Sequence, residues 1–380
     1  MYTRIFCPPA RQSFFLFGPR GTGKTTWIKN FSGADVVIDL LEGDTYQELL
    51  AHPSRLERFV TAVSPRLIVL DEIQRVPDLL NEVHRLIEGK GWTFCLTGSS
   101  ARKLRKTQSN LLGGRAYDYK MHPLTAREMG DDYSLKRALQ WGCLPPVLKA
   151  PDPRKFLKSY LSTYVREEVQ QEGLVRNLPA FVRFLEVASF SQGALLNVSS
   201  VAREVGKDRK VVEDYFTILE DLLLAFRLPV FQKRAKRKVV VHPKFYYFDV
   251  GLYRGLRPLG PLDDAGLTQG AALETLVLQE MRALNDYLDW GFDLFFWRTP
   301  TGEEVDLVLY GERGLVAIEI TSAARYRRED GKGLRAFRSD YPMARGLFLY
   351  AGDREYREPE LRVIPIEKFI RQPDKYLFEE

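Results

Sequence analysis

Over the first 130 positions, apolar residues fall in short runs separated by polar, turn-forming stretches. Phe14-Phe15-Leu16-Phe17, Asp35-Val36-Val37-Ile38-Asp39-Leu40, Leu67-Ile68-Val69-Leu70, Thr93-Phe94-Cys95-Leu96-Thr97 and Ala116 to Met121 are strand-length and strongly apolar, as strands covered on both faces require. Helical stretches lie between them, so the alternation predicts βαβ units around a parallel sheet. From about 131 to 242 the spacing becomes that of amphipathic helices, as in Phe156 to Glu168 and Phe181 to Phe190. From 243 strands return: Phe245 to Leu252, a helix over Ala271 to Asn285 that contains Glu274, then Phe295 to Thr299, Glu304 to Leu309 and Leu315 to Thr321. The expected organisation is α/β throughout, with modules at 1–130, 131–242 and 243–380.

Directly after the first run comes Gly18-Pro19-Arg20-Gly21-Thr22-Gly23-Lys24-Thr25, a complete G-x-x-x-x-G-K-[ST] phosphate-binding loop in strand-loop-helix context. The glycines let backbone N–H groups converge on phosphates, Lys24 reaches the β and γ phosphates, and the Thr25 hydroxyl is a ligand for Mg²⁺. Thr26 and the residues after it open a helix whose positive N-terminal end faces the phosphates. ATP with Mg²⁺ is the expected ligand.

The other half of such a site is present as well. Arg66-Leu67-Ile68-Val69-Leu70-Asp71-Glu72 is a buried strand ending in two acids, the pattern of a Walker B element. Asp71 is placed to hold the Mg²⁺ shell and Glu72 to orient and deprotonate the attacking water. The strand after it ends in Thr97-Gly98-Ser99-Ser100. Thr97 and Ser99 are both candidates for a polar group sensing the γ-phosphate, and the sequence does not choose between them. Gly113-Gly114-Arg115 follows. Arg115 is a candidate to stabilise transition-state charge, on its own nucleotide or on a neighbouring subunit's; the competing reading is that it pairs with an acid.

In the middle region, Asn197 to Asp208 reads as a helix and turn, with Ala202 where two helices cross and Gly206 in the turn. The next helix, from Arg209 to Leu224, carries Arg209 and Lys210 beside Glu213 and Asp214. The densest basic cluster, Lys233, Arg234, Lys236, Arg237 and Lys238, falls in the wing of such a unit. These cations are candidate DNA-phosphate contacts. Acids on the helix argue against groove reading, so DNA contact and a structural or docking role both stay open. In the last region Asp306 and Glu319 lie on successive strands of one hairpin and can converge on a divalent metal.

The remaining composition narrows the class. A chain of 380 residues, 45% hydrophobic and 28% charged, is ordinary for a globular protein of two or three domains. No apolar run approaches the roughly 20 residues of a membrane span, and the start lacks a signal-peptide core. A cytoplasmic protein without a membrane partner is expected. Three cysteines, far apart, fit reduced thiols. The formal net charge of +6 leans weakly towards an anionic partner.

The Walker A loop, Leu70-Asp71-Glu72-Ile73-Gln74, Leu96-Thr97-Gly98-Ser99-Ser100, Gly113-Gly114-Arg115, His122-Pro123-Leu124 and Tyr247-Phe248-Asp249-Val250-Gly251-Leu252 together resemble one prokaryotic family. It comprises AAA-type P-loop ATPases with a C-terminal domain of unknown function containing a winged helix and a PD-(D/E)XK nuclease-like fold. The resemblance implies a P-loop NTPase parallel-sheet domain, a helical and winged-helix middle domain, and a restriction-endonuclease-like α/β domain. It matches Lys24, Thr25, Asp71 and Glu72 to nucleotide and Mg²⁺, and Asp306 and Glu319 to the nuclease-like acids. With Arg115 it implies a homo-oligomer, a hexamer being one arrangement. Thr321 stands where many relatives carry lysine, which argues against DNA cleavage. The implied function is a Mg²⁺-dependent ATPase that moves its C-terminal modules on DNA. The alternatives are an ATP-regulated nuclease and a nucleotide switch that docks a protein.

Overall fold

The structure, a computed structural model, describes residues 2–31, 33–60, 65–100, 102, 104, 112–165, 169, 175, 177–233, 241–258, 260 and 265–378. Two compact units make up the chain: Thr3–Pro123 with Asp221–Leu223, and Leu124–Glu220 with Leu224–Glu380 and Met1–Tyr2.

In the N-terminal unit, strands β1 (Ser13–Phe17), β2 (Val36–Asp39), β3 (Ile68–Asp71), β4 (Phe94–Gly98) and β5 (Ala116–Lys120) form one sheet in the order β2-β3-β4-β1-β5. All four pairings are parallel. The three central strands are buried at every position, which accounts for their continuous apolar runs; the edge strands β2 and β5 are more polar or more exposed. Helices α1 (Lys24–Asn30) and α2 (Leu79–Lys90) are among the crossovers that parallel pairing demands. Phe15, Leu70 and Leu96 pack with Val83 and Leu86 of α2 in a core that Leu223 also joins. This five-stranded parallel sheet is consistent with a P-loop domain. Its register aligns Phe17 with Gly98 and Leu70 with Leu96, so the loop after β1, the acids after β3 and the polar tip of β4 emerge at one edge. In open α/β sheets that carboxyl edge is where ligands bind.

In the C-terminal unit, α3 (Ala126–Met129), α4 (Leu178–Ser189), α5 (Val198–Val205) and α6 (Arg209–Asp221) precede an antiparallel pair, β6 (Ala225–Leu228) with β7 (Lys244–Tyr247). Gly206 ends α5 in the left-handed region at φ 69°, a conformation glycine adopts without a Cβ penalty, and Ala202 is buried as the sequence predicts. Phe184 of α4 meets Phe216 of α6 at 4.8 Å between ring centroids, and Phe216 meets Phe245 of β7 at 5.1 Å. These edge-to-face contacts fix helix to helix and helix to hairpin.

The run Tyr247 to Leu252 has a structural explanation. Asp249 is fully buried and caps α7 (Val250–Leu256) by accepting from Gly251 N at 2.8 Å and Leu252 N at 3.3 Å. Its second oxygen accepts from Cys143 N at 2.9 Å. Gly251 approaches the Trp141 carbonyl too closely for any side chain. The long helix α8 (Ala265–Tyr287) leads to a six-stranded mixed sheet of β8 (Phe292–Arg298), β9 (Glu304–Gly311), β10 (Gly314–Ile320), β11 (Arg345–Tyr350), β12 (Tyr356–Arg357) and β13 (Arg362–Pro365). Helix α9 (Lys332–Asp340) carries Leu334 and Phe337 into the core on its face. Among the described residues, no helix is long and apolar enough to cross a membrane.

Candidate functional site

The phosphate-loop residues occupy the turn between β1 and α1. Gly21 and Gly23 take φ of 85° and 98°, so this path suits glycine and little else. Gly18 lies against Met121 O, where a Cβ would come within 2.5 Å. Thr22 is fully buried and its hydroxyl donates to Pro19 O at 2.8 Å; Arg4 braces the loop by donating to Thr22 O at 2.9 Å and to His122 O at 2.7 Å. Lys24 is buried, and its Nζ donates to Gly18 O at 2.5 Å and to Pro19 O at 3.4 Å. The ammonium is thus held at the mouth of its own loop. Arg20 and Thr26 lie on the exposed side and Pro19 is buried.

Asp71 joins the parts. It is 2% exposed; Oδ2 accepts from Thr25 Oγ1 of α1 at 3.2 Å, and Oδ1 accepts from Thr97 Oγ1 of β4. Thr97 Oγ1 in turn accepts from Glu72 N at 3.4 Å. Of the two sensor candidates, Thr97 is the one bonded to Asp71. Ser99 instead accepts from Gln74 Nε2 at 3.4 Å. Gln74 also donates to Glu72 Oε2 at 2.5 Å, and it fits because Gly98 has no side chain: a Cβ there would collide with Gln74 Oε1. Glu72 itself sits at φ 63°, ψ 45°, a left-handed backbone that costs about 1 kcal/mol or more for a residue other than glycine. The Thr25 hydroxyl and the Asp71 carboxylate are hard oxygen donors side by side, the set Mg²⁺ takes when it also holds nucleotide phosphates and water. The residues fit that ion.

Arg115 requires a correction. It immediately precedes β5, where Ala116 pairs with Ser13 at the far end of β1, whereas the phosphate loop follows Phe17, paired with Lys120. Four residues of strand, about 13 Å, separate the two, so Arg115 does not reach its own chain's phosphates. Its Nε donates to Glu88 Oε1 of α2 at 2.5 Å, the acid pairing that the sequence left open.

The DNA-contact candidates divide. Arg209 and Lys210 are exposed at the start of α6. Glu213, which as a free acid would repel phosphate, pairs with Arg227 of β6 at 2.6 Å; Asp214 is exposed. Lys233 lies over the Tyr310 ring at 4.1 Å and pairs with Asp293 at 3.5 Å. Arg234, Lys236, Arg237 and Lys238 lie outside the described residues.

Asp306 and Glu319 come together one pair beyond the Leu307–Ile318 register of β9 with β10. What they face is not what the spacing alone predicts. Lys244 of β7, 2% exposed, extends Nζ to Asp306 Oδ1 at 3.3 Å, to Glu274 Oε2 of α8 at 3.6 Å and to Glu304 Oε1. Ile320 N donates to Asp306 Oδ2 at 2.9 Å, Tyr246 OH to Glu274 at 3.0 Å, and Arg298 pairs with Glu304 at 2.9 Å. Glu319 Oε2 is enclosed without a hydrogen-bond partner, although the side chain as a whole is only half-buried. Burial works against the Lys244 charge, but the carboxylates around it hold it protonated. Burial, then the Asp306 charge, raises Glu274 and Glu319. Among the described residues, no group of three or more His, Cys, Asp or Glu side chains is arranged to hold a metal ion. Asp306 thus meets the ammonium of Lys244 where the hairpin spacing predicts a divalent ion. Lys244 and Glu304 were not recognisable from sequence, since no local spacing links position 244 to 306.

Residues 10–130 match the model of the AAA domain family, residues 132–263 that of a domain of unknown function (DUF8612) and residues 269–369 that of another (DUF4143). An uncharacterized protein of Mycobacterium bovis and one of Mycobacterium tuberculosis are each 28% identical over 355 residues, covering 90% of this chain and 77% of theirs. A crystal structure of a Vibrio cholerae protein aligns over 90% of this chain and 97% of that one at 12% identity, with a TM-score of 0.23, below the level of a shared fold. The matches support an AAA-type, nucleotide-binding N-terminal domain followed by domains of unknown function.

Proposed function

We propose that this protein is a Mg²⁺-dependent ATPase whose nucleotide state moves a winged-helix and nuclease-like portion against DNA. The observation that carries the ATPase reading is the Asp71 carboxylate, held between the Thr25 hydroxyl of the phosphate loop and the Thr97 hydroxyl of the sensor strand, with Glu72 next in sequence. In this reading Lys24 exchanges its loop carbonyls for the β and γ phosphates. Thr25 and Asp71 are the residues that would hold Mg²⁺, which would supply charge neutralisation at the phosphoryl group. Glu72 orients the water and takes its proton. Thr97 keeps Asp71 aligned.

The winged-helix reading is supported by the order of α4, α5, α6 and the β6–β7 pair, with working module limits at 130 and 242. Arg209 and Lys210 are the proposed phosphate contacts, together with the basic cluster from Lys233. Oligomer formation, with Arg115 serving a neighbour, is part of the same proposal.

Steady-state ATP hydrolysis tests the central claim. Lys24→Ala should lose nucleotide binding, and Glu72→Gln should keep binding and lose turnover, since the amide keeps the shape but takes no proton. Hydrolysis at the wild-type rate by Glu72→Gln removes Glu72 as the base. A gel shift with single-stranded, duplex and branched DNA, with and without ATP and Mg²⁺, tests the target.

A further inference from the structure

The cluster around Lys244 leads past the ATPase reading and does not depend on it. Four carboxylates, Glu274, Glu304, Asp306 and Glu319, gather at β7, α8, β9 and β10, and burying them without compensation is prohibitive. Oxygens of Asp306, Glu274 and Glu304 converge on one nitrogen, the Lys244 Nζ, which takes the central position that a cation bound by these acids would need. We propose that the Lys244 ammonium is the resident cation of this cluster, holding the place that a divalent metal would take, so that the C-terminal sheet engages its partner without metal-dependent hydrolysis at these acids.

The pairing agrees. Asp306 is met by Lys244 and Glu304 by Arg298, and Tyr246 donates to Glu274. A dication entering the cluster would have to displace Lys244 from a side-chain environment only 3% exposed. The enclosed, unpartnered Glu319 Oε2 fits an acid with no cation of its own.

Mn²⁺ titration of the full-length protein without nucleotide, followed by electron paramagnetic resonance, decides the matter. Wild type and Asp306→Asn should take up Mn²⁺ identically. Lys244→Met, which keeps the stem and removes the charge, should gain one ion per chain at least tenfold more tightly than any ion the wild type takes up, and Lys244→Met/Asp306→Asn should lose it. An ion bound by the wild type and lost in Asp306→Asn overturns the proposal, and this comparison stands even where Lys244→Met does not fold. A folded Lys244→Met protein that gains no ion overturns it equally, because the ammonium would not then be what keeps the metal out.

Discussion

Gln74 Nε2 donates to Glu72 Oε2 at 2.5 Å and ties that carboxylate to Ser99, just past the end of the neighbouring strand. In the proposed role of Glu72 as base, a carboxylate held by a side chain that is itself 8% exposed and wedged against Gly98 has its orientation set before substrate arrives. Hydrogen bonds to charged groups contribute about 1.5–3 kcal/mol, so Gln74→Ala should lower kcat for ATP roughly 10- to 100-fold with KM little changed. Wild-type kinetics in Gln74→Ala would show that the contact does not position the base.

Asp249 should control the stability of the C-terminal unit. Replacing it with asparagine turns an NH₂ group towards a backbone N–H and should cost roughly 1–3 kcal/mol. Burial raises its carboxyl from 3.8 to about 6, against three backbone donors that lower it. The folded state therefore binds this proton more tightly than the unfolded chain. Its contribution is complete below the unfolded value and is lost as pH rises to about 6. Urea denaturation of wild type and Asp249→Asn should differ more at pH 4 than at pH 7; an equal gap would remove the assigned titration.

For DNA, the exposed Arg209 and Lys210 and the engaged Lys233 should behave differently. Each lost phosphate contact reduces the slope of log affinity against log salt by about 0.9. Arg209→Ala and Lys210→Ala should each flatten the slope, whereas Lys233→Ala should change it less because Tyr310 and Asp293 already hold that ammonium. Fluorescence anisotropy from about 50 to 200 mM salt provides the slopes, and no flattening in either helix variant would move the interface elsewhere.

Arg115→Ala should leave stability little changed, as its pair with Glu88 is exposed. Its effect on hydrolysis should depend on assembly. Mixing Arg115→Ala with Lys24→Ala subunits should restore activity that neither has alone, because one intact site forms where the Arg115→Ala nucleotide meets the other subunit's arginine. Full activity in a protein that stays monomeric with ATP by light scattering would exclude the trans role.

The nucleotide site was legible because its information is local: a glycine loop, a strand ending in acids and a strand ending in a hydroxyl are each read within a few residues, and parallel pairing brings their ends together. That Thr97 and not Ser99 bonds Asp71 was not legible, since it depends on which hydroxyl faces that carboxylate across the sheet. Asp306 and Glu319 were visible as a hairpin pair, but the cation that meets Asp306 is Lys244, 62 residues before it. The pairing of Arg115 with Glu88 was not legible, because its distance along the sequence from the phosphate loop says nothing about which end of β5 it occupies.

Asp221 to Leu223 belong with the N-terminal unit although the residues on either side of them do not. Asp221 pairs with Arg102, and Leu223, turned into the left-handed region at φ 59°, packs on the core beneath the sheet. A chain cut near residue 130 would therefore lack three residues of the unit it was meant to isolate, leaving an arginine without its acid and an apolar patch uncovered. Dissecting this protein by expressing its halves separately should yield an insoluble or weakened nucleotide-binding fragment. Its chemistry is best studied in the intact chain, with point substitutions in place of cuts.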